Sequence, residues 1–381
     1  MDWKPLARRL ADEVVGPGSR WHSVIAAIPR HLLVPRWWST PDDGKPGAWQ
    51  LRDGPLDERV WSETAYHNLS LVTAVAGLHA DHATPDDTPA GEHTSSSAMP
   101  SLVLRMIRHA RLTDDSRTLI VGTGSGYPAA LLASRYGDAH VTSVDLDSYL
   151  TRAATERLAA FGLYPALNTL DALGPLPGTF ERVISMTGVR PIPAGWLHAL
   201  RPGGRLVTTI AGTHLILTAT ADTDGPGARG RIELDRATFT PAAGTSPGRT
   251  AQTSPDALRD GADTAPGRGR YPVTRIRPGS EMATLLELHA PGIRHHYVEA
   301  SDGRRTVTMT HSDGSYARAV AHGSEPPATI QAGPHRLWDL LDDIRHLWIT
   351  RGTNPLYGAR AVIDADGAIH LSNREWSIDV R

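Results

Sequence analysis

Apolar residues recur at helical spacing through the first forty positions: Leu6, Leu10 and Val14, then Val24, Ile25 and Ile28. The pattern predicts an amphipathic helical start, closed by Ile28 to Pro35 because proline cannot continue a helix interior. Residues 41–60 are polar and turn-rich, and Tyr66 to Val75 reads as a strand or a buried loop. A helix is expected from Thr94, with the hydroxyls of Thr94 to Ser97 as its cap and Leu102, Val103, Met106 and Ile107 on one face. The pattern then changes to short apolar runs alternating with helical ones. Strands are predicted at residues 118–121, 140–145, 165–170, 182–186 and 205–210, and helices at 127–135, 149–161 and 193–200. Such alternation predicts a doubly wound, mainly parallel α/β sheet.

Beyond Ala221 the periodicity fades. Residues 222–272 are rich in Gly, Pro, Thr, Asp and Arg and read as a loop or linker, with room for one strand pair around Ile232 and Phe239. Order returns near Tyr271. Ser312-Asp313-Gly314 and Asp366-Gly367 each sit between alternating runs and predict hairpins. Leu337, Leu340, Leu341, Ile344, Leu347 and Trp348 predict a helix. The expected organisation is a helical, substrate-side segment (1–93), a Rossmann-like core (94–221), a linker (222–272) and a C-terminal α+β extension (273–381).

Composition narrows the chemistry. The 381 residues carry a formal net charge of −2, which gives no basic excess for nucleic acid and no bias toward a membrane surface. There is no cysteine, so thiolate zinc sites, disulfides and thiol nucleophiles are excluded. With no apolar stretch at the N-terminus and none long enough to span a bilayer, a cytoplasmic location is expected. No metal site is expected either: His79-Ala80-Asp81-His82 lacks a third ligand and reads as a solvated turn, and His295-His296 as strand surface. Trp37-Trp38 suits a core role at least as well as a peptide-binding patch.

The densest chemistry lies between residues 118 and 172. Gly122-Thr123-Gly124-Ser125-Gly126 ends a predicted strand and opens a helix. Such a turn lets backbone approach a ligand and aims helix N-terminal amides at it. The spacing is not the Gly-x-Gly-x-x-Gly of dinucleotide folds, and no phosphate-binding Lys follows. Asp145 and Asp171 end the next two predicted strands. Carboxylates there can accept ribose hydroxyls and face an adenine amine, but would repel a polyphosphate, which favours S-adenosylmethionine. Simple capping of the following helices would explain the same two residues.

Gly122 to Tyr127 resembles the cofactor motif of protein-L-isoaspartate O-methyltransferases. Ile28-Pro29-Arg30-His31-Leu32-Leu33-Val34-Pro35 resembles that family's "pRh.FVP" signature, and Ala65 to Leu71 its "AY.d.pL" segment. The Ser run before Met106 matches the position of its "tiS.P" substrate motif. The resemblance covers roughly residues 20–215 and implies a class I methyltransferase fold. It implies cofactor contacts from Gly122, Thr123, Gly124, Ser125, Gly126, Tyr127, Asp145, Leu146, Asp171 and Ala172. It further implies catalytic hydroxyls among Ser95, Ser96 and Ser97, and substrate contacts from Tyr66, His67, Thr94 and Thr187. Leu337-Trp338-Asp339, the Trp348 helix and Asp364 to Gly367 are similar to the tail of aspartate O-methyltransferases associated with ribosomal peptide (graspetide, lanthipeptide, imiditide) maturation. Those relatives imply a precursor-peptide substrate, an aspartimide or isoaspartate product, and other maturation enzymes as partners.

Two positions depart from the repair-enzyme pattern. Ile120 stands where an acidic residue precedes the glycines, and Ala98 falls on the substrate serine when aligned through Pro100. Altered substrate choice is expected. The rival readings are a general isoaspartyl repair enzyme, a non-catalytic peptide-binding module with the same fold and, more remotely, a nicotinamide oxidoreductase.

Overall fold

The computed structural model describes residues 2–41, 47–243, 266–352 and 356–380. Its centre is a ten-stranded sheet built from β1 (Thr118–Val121), β2 (Val141–Asp145), β3 (Ala166–Thr169), β4 (Phe180–Val189), β5 (Leu200–Ile210), β6 (Leu215–Ala221), β7 (Ala228–Arg236), β8 (Arg360–Ile363), β9 (Ile369–Ser372) and β10 (Ser377–Val380). The spatial order is β10-β9-β8-β7-β6-β5-β4-β1-β2-β3. From β3 through β5 all pairings are parallel; from β5 to β10 all are antiparallel. The parallel half therefore has the order 3-2-1-4-5 expected of a doubly wound fold. Its topological switch lies beside β1, where crossovers diverge to opposite faces and leave a crevice beyond the strand ends.

The central parallel strand β1 is buried at every position, whereas the edge strand β3 is largely exposed. The helix Tyr127–Tyr136 covers one face together with Pro100–Ala110 and the N-terminal helices Lys4–Val15 and His22–Ala27, around Leu10, Ile25, Met106, Ile107 and Leu131. Trp196, Leu285, Trp338 and Leu341 join a second core with the antiparallel strands.

Several expectations shift. Thr94 to Ser97 is not a helix start. His93–Ser97 is a strand paired antiparallel with Leu71–Val75, and the helix begins at Pro100. Hydroxyl residues suit both roles, but here a neighbouring strand takes up their backbone groups, and proline at the first helical position sets the boundary. The polar 41–60 stretch contributes the strand Gln50–Asp53 and the start of the helix Glu58–Ala65. Within 222–272, β7 is a full strand of the main sheet, while residues 244–265 lie outside the described ones. The expected C-terminal extension is divided. Residues 360–380 return to the main sheet as β8 to β10. The remainder supplies the helices Glu281–His289 and Leu337–Arg351 and four strands of a separate sheet, ordered Gly267–Arg268 (from the expected linker), Ala328–Ala332, Tyr316–His322, Arg304–Thr310, Arg294–Glu299. Trp37 and Trp38 are both buried, in core roles.

His31 is 6% exposed, with Nδ1 2.6 Å from the Tyr66 hydroxyl. Burial lowers its pKa to about 4. A neutral buried imidazole stabilises the fold above pH 6.5, its ordinary range, and that contribution disappears as pH falls toward 4. Replacing His31 with Gln should flatten the acid limb of the stability profile, by roughly 1–3 kcal/mol between pH 7 and 4. Urea titrations at stepped pH measure this. Parallel acid limbs in the two proteins would place the sensitivity elsewhere.

Candidate active site

The glycine turn after β1 is a left-handed bend: φ is 89° at Gly122, 51° at Gly124 and 86° at Gly126. Two of these positions also lack space. A Cβ on Gly122 would lie 3.1 Å from Thr187 Cγ2, and one on Gly126 would lie 3.1 Å from Ala154 Cβ. The bend is tied to the next strand, since the Gly124 amide donates to Asp145 Oδ2 at 3.0 Å and the Asp147 amide donates to Oδ1 at 3.1 Å. Each oxygen keeps acceptor capacity for a ligand hydroxyl. Burial pushes the Asp145 pKa upward, and the Gly124 and Asp147 amides oppose that shift.

A cavity of about 1020 Å³ opens over this bend. Gly122, Thr123, Gly124, Ser125, Asp145, Leu146, Asp171 and Ala172 all line it, as do Thr94, Ser95, Ser96 and Thr187. That volume lies at the top of the range for a single small ligand and leaves room for a cofactor plus a reacting side chain. Asp171 lies just past the end of β3 and accepts the Leu173 amide, and Trp196 Nε1 donates to the Ala172 carbonyl at 2.6 Å, fixing that rim.

Other expected contacts are not brought to the cavity. Gly126 and Tyr127 do not line it; Tyr127 is 1% exposed and lies under the Arg30 guanidinium, 5.5 Å from ring centre to Cζ. Tyr66 is a packing residue held by His31, and His67 is exposed, with its carbonyl accepting from Arg30. Thr187 belongs to β4, which runs three residues beyond the predicted strand. An irregularity in the β4–β5 register falls there, and Ser185 bonds both the Thr187 hydroxyl and its backbone. Bulges of this kind re-aim side chains beside ligand sites.

The hydroxyl run separates into distinct environments. The Thr94 hydroxyl accepts the Gly77 amide, Ser95 accepts from Thr73 at 2.9 Å, and Ser97 is buried and accepts from Ser125 at 2.9 Å. Among the described residues no hydrogen bond engages the Ser96 hydroxyl. Ser96 lines the cavity, and its carbonyl is 3.4 Å from where a Gly124 Cβ would be.

Three contributors to the site lie outside the site residues expected from the sequence. Arg30 is 1% exposed and donates to the carbonyls of Ala65 (2.7 Å), His67 (3.2 Å), Leu69 (2.9 Å), Ala98 (3.4 Å) and Ser97 (3.5 Å). It thereby fixes the 65–69 segment against the end of the serine strand. His79 is no solvated turn: it lines the cavity and bonds Asp147 at 2.7 Å, while Asp81 pairs with Arg157 and Tyr149. Residues 238–243 close one wall, the Gly188 amide donating to the Thr240 carbonyl and the Ala242 amide to the Gly188 carbonyl. Arg30 was inside a recognisable motif; the other two carry no local signal.

Residues 79–244 match the family described as Protein-L-isoaspartate(D-aspartate) O-methyltransferase (PCMT). The protein-L-isoaspartate O-methyltransferase of Bordetella parapertussis is 32% identical over 254 residues, covering 62% of this chain and 95% of that one. That of Opitutus terrae is 32% identical over 134 residues, and there the chain spans only 56% of the relative's length. A solved protein-L-isoaspartate O-methyltransferase overlaps 99% of this chain and 98% of its own at 14% identity and a TM-score of 0.47. The chain belongs to the protein-L-isoaspartate O-methyltransferase family, and its sheet is that of the class I S-adenosylmethionine-dependent methyltransferases.

Proposed function

We propose that this protein is an S-adenosylmethionine-dependent carboxyl O-methyltransferase that esterifies an aspartate side chain of a ribosomally made precursor peptide. The observation that carries the reading is the Gly122–Gly126 bend clamped to Asp145 in one cavity that Ser96, whose hydroxyl has no hydrogen-bond partner among the described residues, also lines. The site suits an adenosyl ligand: Asp145 has free acceptor positions for ribose hydroxyls, and Asp171 gives a carboxylate rather than a cation at the adenine end.

When bound, S-adenosylmethionine supplies an electrophilic methyl on a sulfonium. An aspartate is already ionised at neutral pH (reference pKa about 3.9), so the protein needs no general base. Its tasks are to place the carboxylate, align it and exclude water. Ser96 can donate to the substrate carboxylate without neutralising it as an arginine would. Once esterified, the side chain is open to attack by the following residue's amide nitrogen. Methanol leaves with the amide proton and a five-membered imide closes, which can persist or open to isoaspartate.

Ala98 in place of the family serine and the β-rich C-terminal unit support the peptide substrate. The names of the relatives favour a second reading, methylation of isoaspartyl residues in damaged proteins. Mass spectrometry separates them: an Asp-containing precursor peptide should gain one methyl and then lose methanol, while a generic isoaspartyl peptide stays unmodified. Efficient methylation of the isoaspartyl peptide would establish the repair reading. Ser96→Ala should lower kcat about 10- to 100-fold, the worth of one hydrogen bond to a charged group, with cofactor affinity unchanged. Unaltered turnover in that variant would remove Ser96 from the site. No described helix is long and apolar enough to cross a membrane.

A further inference from the structure

The turn joining Arg304–Thr310 to Tyr316–His322 carries His311 and Asp313, and the approach to the helix Leu337–Arg351 brings His335 beside them. The His311 Nε2 atom is 2.9 Å from the Pro291 carbonyl. A carbonyl only accepts, so a proton sits on Nε2, and in the neutral tautomer this leaves an Nδ1 lone pair turned inward. The Asp313 amide, 3.4 Å from that Nδ1, agrees with its acceptor role. Yet Nδ1 also lies 2.8 Å from Asp313 Oδ1, an acceptor when ionised. The His335 Nδ1 is 2.5 Å from Asp313 Oδ2. With the His335 ring proton on Nε2, one nitrogen of each imidazole and the Asp313 carboxylate form a set of three acceptors, all within 4.8 Å of one another, that a cation can bridge.

The surroundings hold the three groups in place. The Ser315 amide donates to Asp313 Oδ1 at 2.7 Å, and the His335 amide donates to Ser315 Oγ at 2.8 Å. An imidazole fixed through its outer nitrogen by a backbone carbonyl is the usual support of a metal-binding histidine. We infer that His311, Asp313 and His335 bind a divalent late transition cation, zinc by ligand type, with solvent completing the coordination. Two imidazoles and one carboxylate suit zinc, and the exposed side of His335 leaves room for a water. The ion would join the hairpin, the Pro291 loop and the start of the helix, stapling the C-terminal unit away from the cavity. It would overturn the expectation that the chain has no metal site.

The full-length chain, freed of any affinity tag and stripped with chelator, is titrated with Zn²⁺ and with Co²⁺. One equivalent of either should bind, with visible d–d absorption for Co²⁺ and a higher melting temperature. His335→Ala, an exposed position that leaves the fold intact, should weaken binding about tenfold or more, and Asp313→Asn should do the same. Absence of the d–d bands, or affinity unchanged in both variants, overturns the assignment. So does NMR of the stripped protein with Zn²⁺ added that finds His311 protonated on both ring nitrogens at neutral pH, since a proton then fills the gap.

Discussion

Asp145→Ala should cut affinity for S-adenosylmethionine by about 100-fold or more. Two hydrogen bonds from ribose hydroxyls to an ionised carboxylate contribute roughly 1.5–3 kcal/mol each, and each 1.4 kcal/mol is tenfold in affinity. The variant also loses the clamp on the Gly124 and Asp147 amides, so the glycine bend is left less constrained. Asp145→Asn retains some acceptor capacity and should fall between the two. Titration calorimetry with S-adenosylhomocysteine reads the effect directly, and a melting curve checks that the fold persists. If Asp145→Ala binds within about threefold of the parent, the adenosyl placement is wrong. A parent with no measurable affinity would instead favour the non-catalytic binding module.

Arg30→Ala should have the largest effect on stability, a loss of about 3–5 kcal/mol. The buried guanidinium serves five carbonyls from two segments, and alanine leaves them facing a void. Burial lowers the Arg30 pKa only to about 10, so the group is charged at neutral pH. Arg30→Lys should recover little, because one ammonium cannot reach carbonyls spread around a planar fork. Urea unfolding measures both. A change below about 1 kcal/mol would show that water replaces the guanidinium and that the 65–69 segment does not depend on it.

The parts of the site legible in the sequence were those whose chemistry is local. Gly122 to Gly126 and Asp145 are set by a strand, a left-handed bend and the next strand's end, all within one βαβ unit. Thr94 to Ser97 was misread because its environment is remote: the partner strand Leu71–Val75 and the Ser125 hydroxyl decide what each side chain does. The same holds for β7, whose Arg- and Gly-rich sequence resembles a loop. It is a strand because β6 and β8 pair with both its edges, and its buried Glu233 is paired with Arg205 and Arg231. Asp366-Gly367 announced a hairpin correctly, but nothing in those residues names the sheet it joins.

That late return of the chain has a cost during synthesis. Until residues 360–380 leave the ribosome, β7 presents a bare row of amides and carbonyls along an otherwise finished sheet. An open edge of this kind recruits other strands, including those of neighbouring nascent copies. Ribosome stalling or proteolytic clipping just before Arg360 would then yield insoluble material rather than a smaller working enzyme.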